Sequence, residues 1–181
     1  MASNQHGGSS KATPSKAQSA MPKKIPAETG EADAVSLLTQ DHANVKSMFE
    51  QYEELGDRAH ASKKKLAQQI CLELTKHATA EEEIFYPAVR QASGDTEELV
   101  DEATVEHAAA KELIAQILSM EPTDDLYDAK VKVLSEQIEH HVQEEEGEMF
   151  PKAKKAKLDL VALGEAIEAR KAEIGAPLPT Q

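Results

Sequence analysis

A chain of 181 residues with a formal net charge of −13 and one cysteine can bury a real core, but it can form no internal disulfide. The acidity lies outside residues 1–30, where four lysines face one glutamate, and it argues against nucleic-acid phosphates and anionic membranes as partners. No apolar run approaches the roughly 20 residues that span a bilayer, and residues 1–30 lack the hydrophobic stretch of a secretory signal, so the expected location is cytoplasmic.

Residues 1–30 are rich in Ser, Lys, Ala, Gly and Pro without apolar periodicity and read as a disordered tail without a function of its own, with a linker or a weak basic docking arm as alternatives. From Asp33 the pattern turns helical. Leu38, His42, Val45, Phe49 and Tyr52 recur at steps of four and three, with Gly56 as the stop. A second helix is expected from about Ser62, with Leu66, Ile70, Leu74, His77, Glu81, Ile84 and Ala88 on one stripe. Pro87 is expected to kink or end it. Within it Cys71 reads as a small buried side chain. After the turn at Ser93-Gly94-Asp95, Asp95 and Glu98 suggest a capping box for a third helix carrying Leu99, Ala103, His107, Ala110, Ile114 and Ile117. A fourth stripe, Tyr127, Val131, Leu134, Ile138, His141, Glu145 and Met149, is expected to end at Pro151. A fifth amphipathic helix, about Leu158 to Glu173 with Val161, Leu163 and Ile167, is expected to pack outside. Lys152, Lys154, Lys155 and Lys157 just before it would complement the negative end of the fourth helix.

Short connections make sequential helices antiparallel. The expected fold is all-α: an up-down-up-down antiparallel four-helix bundle over residues 31–157, an outer helix and tail over 158–181, and the N-terminal tail before both.

Each stripe is apolar except for the same intruders, a His in every helix and a Glu in helices two and four. A histidine or carboxylate among Leu and Ile is costly unless it is paired, protonated or bound to metal. One such residue is usually a satisfied core histidine; six on facing stripes ask for another reason. The positions also repeat. Asp41-His42 and Glu106-His107 precede His77 and His141 by nearly equal intervals. His77 to Glu81 is echoed by His141 to Glu145, and each segment then reaches an aromatic-proline pair, Tyr86-Pro87 or Phe150-Pro151. The chain thus looks like one helical hairpin used twice. Residues four apart on a helix lie one above the other, so each hairpin can offer two imidazoles and one carboxylate to a shared layer. Two cations with two histidines each and two bridging carboxylates would use all six: His42, His77, Glu81, His107, His141 and Glu145. Carboxylate with imidazole and no thiolate suits iron, or manganese, better than structural zinc. The expected cofactor is two iron ions with a bridging oxo or hydroxo group. His140 and Glu144 share the His-x-x-x-Glu spacing but point about 100° round the helix and are assigned to the polar face. Glu82, Glu83, Glu144, Glu146 and Glu148 read as solvated surface charge, and His60 as an exposed loop residue.

His42, His77 to Glu81, His107 and His141 to Glu145 resemble the hemerythrin-like HHE cation-binding family over about residues 35–152. The resemblance implies a non-haem di-iron centre with the four histidines as terminal ligands. The oxygen carriers of that family have a further histidine one turn after the third-helix histidine, where this chain has Lys111. Their second carboxylate is an aspartate five residues after its histidine, against four here. The chain is therefore similar to the four-histidine, two-glutamate branch linked to iron sensing, nitric oxide and oxidative stress. The first functional expectation is a protein that binds or senses O2, NO or peroxide, or handles iron. The alternative is a di-iron enzyme of peroxidase, NO-related or ferroxidase-like activity, with Tyr86 or Tyr127 as an electron or proton donor. A third class is an interaction module that the metal merely stabilises.

Overall fold

In the computed structural model, residues 32–92 and 94–175 are described, and every regular element among them is helical. The tail expected over residues 1–30 lies outside them. Asp33 opens α1 (Ala34–Glu53) by accepting a hydrogen bond from the Ser36 amide at 2.9 Å, which satisfies one of the first-turn donors. Helix α2 (His60–Ala80) passes through a π-helical turn, Glu81–Phe85, into α3 (Tyr86–Ala92). A 3₁₀ turn, Gly94–Thr96, leads into α4 (Glu97–Leu118). Helix α5 (Tyr127–Glu144) repeats the first arrangement: a π-helical turn, Glu145–Met149, then α6 (Phe150–Lys155). Helix α7 (Leu160–Glu173) follows. The first four long rods form the expected up-down-up-down bundle, with α7 packed against α1, α2 and the first π turn.

Neither proline ends its helix: this corrects the stop expected at Pro151, and of the kink or end expected at Pro87 it removes the end alone. Each follows a π turn in which the backbone ladder widens: the Tyr86 amide bonds the Glu81 carbonyl and the Phe150 amide bonds the Glu145 carbonyl. That local i→i+5 spacing sits where the proline ring and its missing N–H would disrupt a regular α-helix. The helix therefore continues to Ala92 in one hairpin and to Lys155 in the other. Other differences are small. Helix α2 begins at His60, so exposed His60 is its first residue, and α4 is capped at Thr96, one residue beyond Asp95. Lys152, Lys154 and Lys155 do occupy the last turn of α6, as expected.

The core is two apolar clusters rather than one. Leu38, Phe85, Val89, Val100, Met149, Phe150 and Ile167 belong to the first. Phe49, Ile70, Cys71, Leu74, Ile117, Tyr127 and Leu134 belong to the second. The histidines lie between them in sequence and space: His42 falls between Leu38 and Val45, and His107 between Ala103 and Ala110. At the far end of the second cluster, Lys63, only 5% exposed, donates to Asp128 at 2.6 Å, and the Tyr52 hydroxyl donates to the same carboxylate at 2.7 Å. That trio fastens the ends of α1, α2 and α5 together.

Helix α7 docks by backbone approach. A Cβ placed on Gly164 would stand 2.5 Å from the Ala32 carbonyl oxygen and 3.0 Å from the Ala34 nitrogen. Because both obstacles are backbone, α7 would have to shift. Gly164→Ala is expected to cost about 1–3 kcal/mol, the range for overpacked sites, read as a lower Tm.

Candidate metal centre

The structure brings all six sequence-derived residues together. His42 comes from α1, His77 from α2, His107 from α4 and His141 from α5, all buried. Glu81 and Glu145 are the first residues of the two π turns and are 0% and 1% exposed. π-Helical turns inside α-helices frequently mark functional sites, and here each delivers the one carboxylate of its hairpin to the middle of the bundle.

All four imidazoles turn Nε2 inward. His42 Nε2 lies 3.1 Å from His77 Nε2, and His107 Nε2 lies 3.1 Å from His141 Nε2. Glu81 Oε2 is 3.1 Å from His77 Nε2 and 3.5 Å from His107 Nε2. Glu145 Oε2 is 3.2 Å from His42 Nε2 and 3.5 Å from His141 Nε2. Each carboxylate therefore touches one histidine from either pair. Two overlapping groups of potential ligand atoms result, His42, His77, Glu81 and Glu145 in one and Glu81, His107 and His141 in the other, with the atoms of each within 4.8 Å of one another.

The outer ring nitrogens explain why Nε2 faces inward. His42 Nδ1 meets Glu146 at 2.8 Å, His77 Nδ1 meets Asp41 at 3.3 Å, His107 Nδ1 meets Glu82 at 3.0 Å and His141 Nδ1 meets Glu106 at 2.7 Å. An ionised carboxylate only accepts, so each Nδ1 carries the hydrogen and each neutral ring presents its lone pair at Nε2. This is the carboxylate–histidine arrangement of metal ligands. Sequence reasoning assigned Glu82 and Glu146 to solvated surface, and it saw Asp41 and Glu106 only as parts of a repeat. Helical phase alone does put Glu82 and Glu146 off the core stripe. It could not show that the opposite hairpin lays a histidine ring edge against them. The signal was the repeat itself: an acid directly before His42 and His107, and an acid directly after Glu81 and Glu145.

The donor set fits a cation. Glu81 Oε1 and Glu145 Oε2 are buried carboxylate oxygens with no hydrogen-bond partner, and inward-facing lone pairs at about 3 Å repel one another unless positive charge lies between them. In the protein alone, protons supply part of that charge. Burial disfavours the His77 imidazolium, yet the Glu81 carboxylate and the hydrogen bond to Asp41 outweigh it and push the pKa up to about 10. His141 also rises, with Glu145 and Glu81 overcoming its burial, whereas burial wins at His107, which is lowered. For Glu145, burial is outweighed by the close approach of His42 and by the His141 and His77 charges, which hold it well below the usual carboxylate range.

Tyr86 and Phe150 occupy equivalent places below this layer. The Tyr86 ring stacks on His107 at 5.4 Å and the Phe150 ring on His42 at 5.7 Å. Only Tyr86 brings a hydroxyl, which donates to Glu145 Oε1 at 2.8 Å and lies 3.3 Å from His107 Nε2. Burial and the charges of Glu81 and Glu145 keep it a neutral phenol. Tyr127 lies in the second apolar cluster, away from the layer. Above the layer a cavity of about 30 Å³ is lined by Leu74, Ala78, Ala110, Ile114, Ile138 and Val142 on one side and by the four histidines on the other, with Asp41, Thr75 and Lys111 at its margin. Ile114 and Ile138 line this cavity, whereas Ile84 packs against the first cluster and Leu134 lies in the second. His140 is 63% exposed and groups with Glu106 and Glu144 on the surface, so the polar-face assignment holds. Cys71 is buried, and that burial pushes its thiol up to about 12.

An antiparallel helical bundle with a buried layer of four histidines and two glutamates defines a cation-binding domain. Residues 33–153 match the family model described as the hemerythrin HHE cation binding domain, and the chain belongs to that family. It is similar to a DNA nickase from Nostoc sp. (strain PCC 7120 / SAG 25.82 / UTEX 2576), with 33% identity over 116 residues. That match covers 63% of this chain but 31% of the relative, so the chain spans about a third of that protein. The crystal structure of a hemerythrin HHE cation binding domain-containing protein from Mycobacterium kansasii shares the fold. Its TM-score is 0.67 at 23% identity, over 78% of this chain and 86% of that one. No helix among the described residues is long and apolar enough to cross a membrane.

Proposed function

We propose that the domain holds two iron ions and uses them to bind or sense a small oxidant or diatomic ligand, O2, NO or peroxide. His42 and His77 would be terminal ligands of one cation, His107 and His141 of the other, and Glu81 and Glu145 would bridge. The observation that carries this reading is the pair of donorless carboxylate oxygens among four Nε2 atoms whose rings are fixed from behind by carboxylates. Imidazole and carboxylate without thiolate favour iron over a structural zinc site. Such a pair would supply redox-active, Lewis-acidic positions open to an added ligand.

The residues around it have separable tasks. The cavity above the layer has room for about one or two water-sized groups, between an aliphatic wall and the four histidines. Lys111 donates to both oxygens of Glu82 at 2.6 and 2.7 Å, pinning the carboxylate that orients His107. A solvent-open groove between α1 and α5 shares His42, Ile138 and Val142 with the inner cavity, so those side chains are what a small ligand entering from the groove would have to pass. The Tyr86 hydroxyl beside Glu145 favours a second reading, catalytic turnover with Tyr86 as a proton or electron donor.

Stopped-flow mixing of the anaerobic, iron-loaded protein with O2, NO or peroxide separates the two. One stable, reversible adduct per chain supports binding, repeated consumption supports catalysis, and the absence of any spectral change removes both. Cation binding should also release protons, because His77 holds one up to about pH 10. Affinity is thus expected to rise with pH from 6 to 9, as calorimetry in buffers of different ionisation enthalpy would show. A flat profile would contradict it.

A further inference from the structure

The family match ends at residue 153, whereas α7 begins at Leu160, yet α7 reaches the centre. Lys171 donates to Asp41 Oδ1 at 2.6 Å, and the same carboxylate receives the His77 Nδ1 hydrogen at 3.3 Å. One residue earlier, Arg170 grips both oxygens of Glu83, at 2.7 and 3.1 Å, and Glu83 lies in the π turn that Glu81 opens. Ile167, fully buried, and Gly164, set against the Ala32 carbonyl, hold the helix in place.

The repeat shows what is unusual in this. Glu106 is the counterpart of Asp41 and supports His141 in the same way, but the basic side chain beside it is exposed His140 at 3.7 Å rather than a lysine. Among the described residues, only the His77 arm has such a cation supplied from outside the bundle; the Lys111 ammonium that holds Glu82 behind His107 comes from α4 itself. Three groups in a row, an ammonium, a carboxylate and an imidazole, run from α7 to the cation position that His77 faces.

We propose that Lys171 is a positioning residue for the metal centre, and that α7 thereby sets the affinity of the cation held by His42 and His77 separately from its neighbour. The lysine fixes Asp41 as the acceptor of the Nδ1 hydrogen, which aims Nε2 at the cation; without it the carboxylate is free to turn to water. The inference rests on reading His77 as a ligand.

The test is anaerobic titration of the full chain with Fe2+, comparing wild type, Lys171→Met, Lys171→Arg and His77→Ala, with the near-ultraviolet absorbance of the loaded protein recorded in parallel. Lys171→Met keeps the aliphatic stem, and hydrogen exchange over residues 160–173 would confirm that α7 stays docked. One of the two affinities is expected to fall roughly 10-fold, the lower end for partners behind a metal ligand, with a shifted absorbance band. Lys171→Arg should restore both. Wild-type affinities in Lys171→Met, alongside a lost cation in His77→Ala, would overturn the role of α7 and leave the two-cation reading intact. Wild-type binding in His77→Ala would overturn both.

Discussion

If the domain holds two irons as proposed, replacing Glu145 with alanine is expected to reduce the iron content to below one per chain, an effect that only the equivalent change at Glu81 should match. Glu145 is within 3.5 Å of both His42 and His141, one from each pair, so on the two-cation reading its loss would remove a ligand from both at once. Glu81→Ala should behave alike, because Glu81 stands between His77 and His107 in the same way. Partners behind a ligand cost about 10–100-fold in affinity when changed; a bridging ligand should cost more. Glu145→Gln keeps the volume and separates lost charge from lost packing. Elemental analysis after anaerobic reconstitution reads the result, and two irons retained in either alanine variant would end the bridging assignment.

The second large effect is on stability. Removing both proposed cations with a chelator is expected to lower the Tm by roughly 16–32 °C. That combines about 4 kcal/mol for each of two sites loaded at a thousandfold excess over its Kd with about 2–4 °C per kcal/mol for a chain of this size. The physical reason lies in how the hairpins meet. Glu82 of the first supports His107 of the second, and Glu146 of the second supports His42 of the first. The layer between the two apolar clusters is therefore polar, charged and shared. Differential scanning calorimetry before and after chelation measures the change. An unchanged Tm would mean that the protein folds without regard to the layer.

The bundle and its six inward residues were legible because apolar periodicity fixes helix faces, and because a polar intruder on an apolar face has few explanations. The internal repeat then turned six intruders into one cluster. What stayed hidden depended on contacts between helices. The helical phase of Lys63 does continue the stripe of Ala67, Ile70 and Leu74, but its partners could not be read from that phase, because Asp128 and Tyr52 arrive from other helices. The π turns were hidden as well. Pro151 suggested a helix end and Pro87 a kink or an end, whereas a widened turn before each lets the helix pass and sets Glu81 and Glu145 at its start. Helix α7 was read as an outer layer from its composition. The reach of Lys171 to Asp41 became visible only once α7 was placed on α1.

Diffraction at the iron absorption edge, from crystals of the iron-loaded protein, tests the central claim most directly. The account predicts two anomalous peaks, about 3.5–4 Å apart as in other paired-metal sites, each beside one histidine pair and both against Glu81 and Glu145. A single peak, or iron held instead by surface Glu106, His140 and Glu144, would contradict it.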